Sequence, residues 1–271
     1  MPLRETDWLE KNINKVKIID CSWHMPQTNR DGFKEYKKRH IENAIFFDLD
    51  ENSKKNTHLP HMLVEIDVWE KIVSKMGITN DDEIIIYDNS DVISSCRCWF
   101  NFIYFGHDPK LVHVLNGGLS KWVDERRKVT DETRKVKISN YKSFEKIDLV
   151  KTKKLIDQNI DKQIFKVIDA RSLERFKGQV QEPRKGLRSG NIKNSMCIPF
   201  QNCLNKNKTF KNKDELIAVF KTCLKNLNEK NIVFSCGSGV TACVLALAYS
   251  LINDKYLPCI YDGSWAEYGL T

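Results

Sequence analysis

The chain has 271 residues, of which 41% are hydrophobic and 30% charged, enough apolar content for a packed core and too much for a disordered or fibrous chain. Its formal charge of +8 is scattered as lysines among Asn, Asp and Glu, as in TKKLIDQNIDKQ, without the interleaved aromatics or motif of a nucleic-acid face, so no nucleic-acid partner is expected. Nine cysteines show no C-x-x-C pair and no metal-ligand spacing, no run is long enough for a membrane span, and MPLRETDWLEKN has no apolar signal region; reduced thiols, a cytoplasmic location and no membrane partner are the expectation.

In chain order, KIIDC at 17–21, AIFFD at 44–48, EIIIYD at 83–88 and VHVLN at 112–116 read as short buried strands. Between the second and third lies EIDVWEKIVSKMG, a helical pattern with Val64, Val68, Trp69 and Ile72 on one stripe. A charged stretch poor in apolar residues follows, read as a linker at 124–146 between domains at 1–123 and 147–271. Beyond it, KVIDA, SMCIPF, NIVFSC and PCIYDG are strand-like and alternate with helical KDELIAVFKTCLKNL and the apolar run Val240 to Leu251. Strands alternating with helices predict an α/β fold, in each half a parallel sheet flanked by helices.

The halves also resemble each other block by block. KIIDCSWH matches KVIDARSL, EIIIYDNS matches NIVFSCGS, and VHVLNGGLSKW matches PCIYDGSWAEY, which sets Asp20 opposite Asp169, Asp88 opposite Cys236 and Gly117 opposite Gly263. A tandem duplication follows. Only the second copy has a cysteine where the buried strand turns into a helix. There Gly237, Ser238 and Gly239 let backbone N–H groups converge, and the helix start adds partial positive charge, a setting that favours negative charge on sulfur. Cys236 is therefore the candidate nucleophile, and the other eight cysteines are read as structural.

DCSWHMP, LPHML, DARSLERFKG, EPRKGLRSGNI, CGSGVTAC and YDGSWAEYG stand in the order found in the two-domain rhodanese-fold sulfurtransferases, which this sequence resembles over nearly its whole length. Among them it is most similar to those that act on 3-mercaptopyruvate. The resemblance implies tandem rhodanese-like domains, the second catalytic, and transfer of sulfane sulfur through a Cys236 persulfide to thioredoxin, a small thiol or cyanide, with no metal or organic cofactor. It maps a Ser/His/Asp relay onto Ser238, His61 and Asp50, and a substrate site onto Arg184, Arg188 and the cradle of Gly237, Gly239, Val240 and Thr241. All six histidines lie in the first half, so any imidazole beside Cys236 has to come from there.

Relatives selective for thiosulfate place Arg and Lys directly after the cysteine, which suits a compact dianion; here Gly237 and Ser238 take those places, which suits a monocarboxylate held by arginines elsewhere. The alternatives are a thiosulfate sulfurtransferase, a rhodanese-like binding module, as the first half with Asp88 would be, and a cysteine-dependent phosphatase. The last needs an arginine where Ala242 stands. The sequence departs from the family at Gly190-Asn191-Ile192, which lacks a histidine, and at Ile93, where some members carry a tyrosine.

Overall fold

The computed structural model describes residues 1–271, which divide by contact into two units. The first comprises Met1–Lys55, Leu63–Lys146 and Lys206–Thr209; the second comprises Asn56–Met62, Ile147–Asn205 and Phe210–Thr271.

Along the first unit run β1 (Leu3–Arg4), α1 (Thr6–Asn12), β2 (Lys17–Asp20), α2 (Gly32–Lys38), β3 (His40–Ile41), β4 (Ala44–Phe46), α3 (Ile66–Lys75), β5 (Ile84–Tyr87), α4 (Ser95–Tyr104), β6 (Val112–Leu115), α5 (Gly118–Asp124) and β7 (Val129–Thr130). Its main sheet is parallel, in the order β1-β6-β5-β2-β4, with β5 in the middle. Helices cover both faces, so the central run Ile84 to Tyr87 is buried along its whole length, and this explains why it reads as continuous Ile rather than alternating. Helix α4 is buried on every side, Arg97 included. On α3 the stripe differs from the sequence reading: Trp69 and Val73 face inward with Val64 just ahead of them, whereas Val68 lies in solvent. Trp69 decides this by packing on Phe102 and Phe105, at ring-centroid distances of 5.1 and 4.8 Å, which turns the neighbouring position outward. The stretch 124–146 lies along this unit. Its β7 pairs antiparallel with β3, Ser139 N–H donates to the Ser74 carbonyl at 2.9 Å, and Tyr141 is buried against His107.

The second unit contains β8 (Val150–Lys151), α6 (Lys153–Lys162), β9 (Lys166–Asp169), α7 (Leu173–Phe176), β10 (Met196–Cys197), α8 (Lys213–Lys221), β11 (Ile232–Ser235), α9 (Val240–Ser250), β12 (Ile260–Tyr261) and α10 (Ser264–Tyr268). Its parallel sheet, β10-β9-β11-β12-β8, repeats the first with β11 in the middle. Helix α8 starts at a capping box between Asn212 and Glu215 and stops at Lys221, short of the periodic pattern. No helix of the chain is long and apolar enough to cross a membrane.

The repeat holds atom by atom. Phe47 N–H donates to the Asp20 carbonyl at 2.8 Å as Ile198 N–H donates to that of Asp169 at 3.0 Å. Leu119 N–H donates to the Asp88 carbonyl at 2.9 Å as Trp265 N–H donates to that of Cys236 at 2.9 Å. Even the left-handed turns agree: Asn43 and Asn194 have φ of 68° and 64°, and Gly118 and Ser264 have φ of 56° and 49°.

Candidate functional site

Cys236 follows directly on β11, the middle strand, where a parallel sheet presents its carboxyl ends. It is buried, as are Ser238 and Gly239, and the loop reaches α9 through Gly239 at φ +75°, a conformation that favours glycine. Val240 and Thr241 are the first residues of α9, where backbone N–H groups have no partner within the helix. The start of α10 holds the loop from the other side. Trp265 and Ala266 donate their N–H groups to the carbonyls of Cys236 and Gly237, at 2.9 and 2.8 Å, and the Cys236 N–H donates to Ser264 Oγ at 3.1 Å. The cradle is therefore pinned through its carbonyls and one N–H.

Above the loop stand cations. A Cβ at Gly237 would lie 3.3 Å from Arg175 Nη2 and 3.5 Å from Arg184 Nη1, so glycine lets two guanidiniums close over the backbone beside the cysteine. Arg184 Nη2 donates to Ser238 Oγ at 3.3 Å, and His61 Nδ1 lies 3.0 Å from the same oxygen. His61 is buried at φ +60° in the segment 56–62, which packs as part of the second unit although it comes from the first half of the sequence.

Arg175 belongs to a ladder of charges that the sequence reading did not single out. Arg171, fully buried, places Nε 3.1 and 3.0 Å from the two oxygens of Asp169 and Nη2 2.7 Å from Oδ2, while its Nη1 donates to Glu182 at 2.8 Å. Glu182 in turn receives Arg175 Nη2 at 2.5 Å. Each charge is neutralised by the next, which is what makes such burial tolerable, and the ladder ends by aiming Arg175 at Gly237. The signal was the run Asp169, Arg171, Arg175 in DARSLERF, with α7 started by the Ser172 side chain accepting from Arg175 N–H.

The remaining candidates are Arg188 and Asp50. Arg188 stacks over Trp265 and Tyr268, its guanidinium carbon 4.6 and 5.5 Å from the ring centroids, and its carbonyl accepts from the Trp265 indole N–H at 2.9 Å. Asp50 is in the first unit, where its Oδ2 accepts from the Trp23 indole at 2.8 Å. Among the other thiols, burial pushes Cys197 and Cys203 up to about 12 and Cys259 to about 11, as befits packed cysteines.

Such a site, a cysteine at the head of an N–H cradle beneath guanidiniums with an imidazole and a hydroxyl in line, can attack a sulfur or carbon centre in an anionic substrate and hold the charge that develops. The rhodanese-like domain matches the chain twice, over residues 5–125 and 152–270. The thiosulfate/3-mercaptopyruvate sulfurtransferase 1 of Arabidopsis thaliana mitochondria is 37% identical over 290 residues, covering 98% of this chain and 76% of its own. The thiosulfate sulfurtransferase of Rattus norvegicus is 34% identical, covering 98% of this chain and 91% of its own. The crystal structure of SseA from Escherichia coli, described under 3-mercaptopyruvate sulfotransferases, superimposes with a TM-score of 0.86 at 28% identity, covering 98% of this chain and all of that one. With both halves matched by the domain and the likeness running from end to end, the chain belongs to the rhodanese family and is a sulfurtransferase built from two rhodanese-like domains.

Proposed function

We propose that this sulfurtransferase takes its sulfur from 3-mercaptopyruvate, with residues 147–271 as the catalytic half. The observation that carries the reading is the neutral Gly237-Ser238 pair lying under Arg175 and Arg184. Of the charges gathered there, Asp169 and Glu182 against Arg171, Arg175 and Arg184, the formal balance is one positive, which suits one carboxylate better than a dianion. Arg188, stacked on Trp265, whose N–H holds the Cys236 carbonyl, is the second arginine assigned to the substrate carboxylate.

In the reaction the Cys236 thiolate attacks the thiol sulfur of mercaptopyruvate. The carbon–sulfur bond breaks, its electron pair goes to the enolate of pyruvate, and the sulfur stays on Cys236 as a persulfide. N–H groups of Gly237, Gly239, Val240 and Thr241 stabilise negative charge on that sulfur. The enolate carbon takes a proton delivered through Ser238 from His61. A thiol such as thioredoxin or a small thiol then removes the outer sulfur, completing a ping-pong cycle. A chain whose nine cysteines are all free thiols suits a reducing compartment, here the cytoplasm.

The experiment is steady-state sulfur transfer to cyanide from each donor, with mass spectrometry of the sulfur-loaded protein. Mercaptopyruvate should give the higher kcat/KM and add one sulfur to the peptide containing Cys236. Comparable rates with thiosulfate would instead assign the thiosulfate activity, and sulfur on Cys243 or Cys259 would remove Cys236 from its role.

A further inference from the structure

The first unit lacks the ladder that organises the second. Asp20 stands where Asp169 stands, but the residue corresponding to Arg171 is Ser22 and the one corresponding to Trp265 is Leu119. In the second unit that space holds the Arg171 guanidinium, 4.3 Å from the Trp265 ring centroid. In the first, a cavity of about 340 Å³ opens there, its wall including Asp20, Ser22, Glu35, Lys38, Arg39 and Leu119.

Its charges are unevenly matched. Asp20 is 1% exposed, and its partners are neutral: the Ser22 N–H at 2.9 Å, the Ser22 hydroxyl at 2.5 Å and the Tyr87 hydroxyl. No cation pairs with it, and burial pushes its carboxyl up to about 7. Glu35, the other acid on the wall, is taken by Arg30 Nε and Nη2 at 2.7 and 2.6 Å and by Asn89 Nδ2 at 3.0 Å. At the rim, Lys38 and Arg39 are exposed, and neither has an acidic partner. The cavity thus offers a buried carboxyl without a cationic partner at its floor and cations at its mouth.

We propose that this cavity binds a small zwitterion, with a guanidinium seated on Asp20 where the second unit seats Arg171 and a carboxylate held by Lys38 and Arg39. The planar, forked guanidinium is the group that Asp169 accepts in the equivalent place, and its arrival neutralises a carboxylate otherwise buried without a cation. The volume falls at the small end of ordinary ligand sites. The site uses none of the groups around Cys236 and does not rest on the choice of sulfur donor.

The test is isothermal titration calorimetry of the full chain with 4-guanidinobutyrate, which carries both ends. Saturable one-to-one binding is expected, and agmatine, without the carboxylate, and butyrate, without the guanidinium, should each bind weaker by on the order of tenfold or more. Ser22→Arg supplies the guanidinium from the protein itself and should abolish binding while sulfur transfer continues at the wild-type rate. Should that variant fail to fold, the exposed pair Lys38→Glu and Arg39→Glu carries the test, with binding weakened by at least about tenfold. Absence of heat up to about 10 mM ligand, or affinity unchanged in a folded Ser22→Arg or in the Lys38→Glu/Arg39→Glu double variant, overturns the proposal.

Discussion

The two halves fold the same sheet and turn the same corners, yet the end of the middle strand holds Asp88 in one and Cys236 in the other. Asp88 consumes its own loop: Oδ1 accepts from the Ser90 N–H at 2.7 Å and Oδ2 from the Ser95 N–H at 2.9 Å. A carboxylate fixed to the chain thereby fills the anion site that the topology creates. Cys236 brings no such acceptor, so the equivalent cradle stays open to an anion from outside the chain. The second contrast is of charge. The Asp169–Arg171–Glu182–Arg175 ladder connects the sheet to the cysteine loop, whereas Asp20 ends at a serine. A fold supplies the place for chemistry, and a handful of side chains decides whether anything happens there.

The sharpest way to break this comparison is to exchange the defining residues. Cys236→Ser should lower sulfur transfer by at least about a thousandfold with the fold intact, while Asp88→Cys in that background should restore nothing, because no arginine ladder serves the first loop. Recovery of transfer would show that the fold alone suffices. Next in size is the ladder itself. Arg171→Ala leaves Asp169 buried without a cation and Glu182 with Arg175 alone, and should cost about 3–5 kcal/mol of stability in a denaturant titration; a loss below about 1 kcal/mol would mean the charges are compensated some other way.

Donor choice follows. Mercaptopyruvate should exceed thiosulfate in kcat/KM by about a hundredfold, the worth of one charged or bidentate contact. His61→Ala and Ser238→Ala should each slow turnover by about a hundredfold, and the double variant should lose little more than the worse single one, as expected of groups acting in one relay. Additive losses, or a folded His61→Ala enzyme at full speed, would dissolve the relay.

The smallest effect is a pH dependence confined to the first unit. Burial raises the Asp20 carboxyl to about 7, above its ordinary value of 3.8. Its protonated form is thus favoured by folding, and the stability it contributes is complete below its unfolded value and is lost as the pH rises through 7. Between pH 6 and 8 that loss is about 1 kcal/mol. Asp20→Asn should remove this slope from denaturant titrations at the two pH values; a slope unchanged in the variant would assign it to another group.

Much of this was legible from the residues. Short Ile- and Val-rich strands alternating with helices call for parallel sheets, and the matched blocks around Asp20 and Asp169 call for a duplication. A cysteine between an apolar strand and a glycine-led helix leaves little choice about where it stands. The stripe on α3 was misread at Val68 because periodicity tells which residues share a face, not which of two neighbouring faces meets the core. Arg171 and Arg175 escape a reading of the sequence because arginine is ordinarily a surface residue, and only the arrival of Glu182 from another segment, beside Asp169, makes the burial of Arg171 tolerable.

Local order is written along the chain: where strands end, where backbone N–H groups converge, and that Cys236 heads one such loop and Asp88 the other. Which distant groups meet them depends on how the elements pack. His61 is 177 positions from Ser238, yet their side chains lie 3.0 Å apart, and the cavity beside Asp20 exists because Ser22 and Leu119 replace a guanidinium and an indole that come from different segments. Neither follows from local propensity, since side-chain encounters between remote segments are set by how whole elements pack and by which buried charges find a partner.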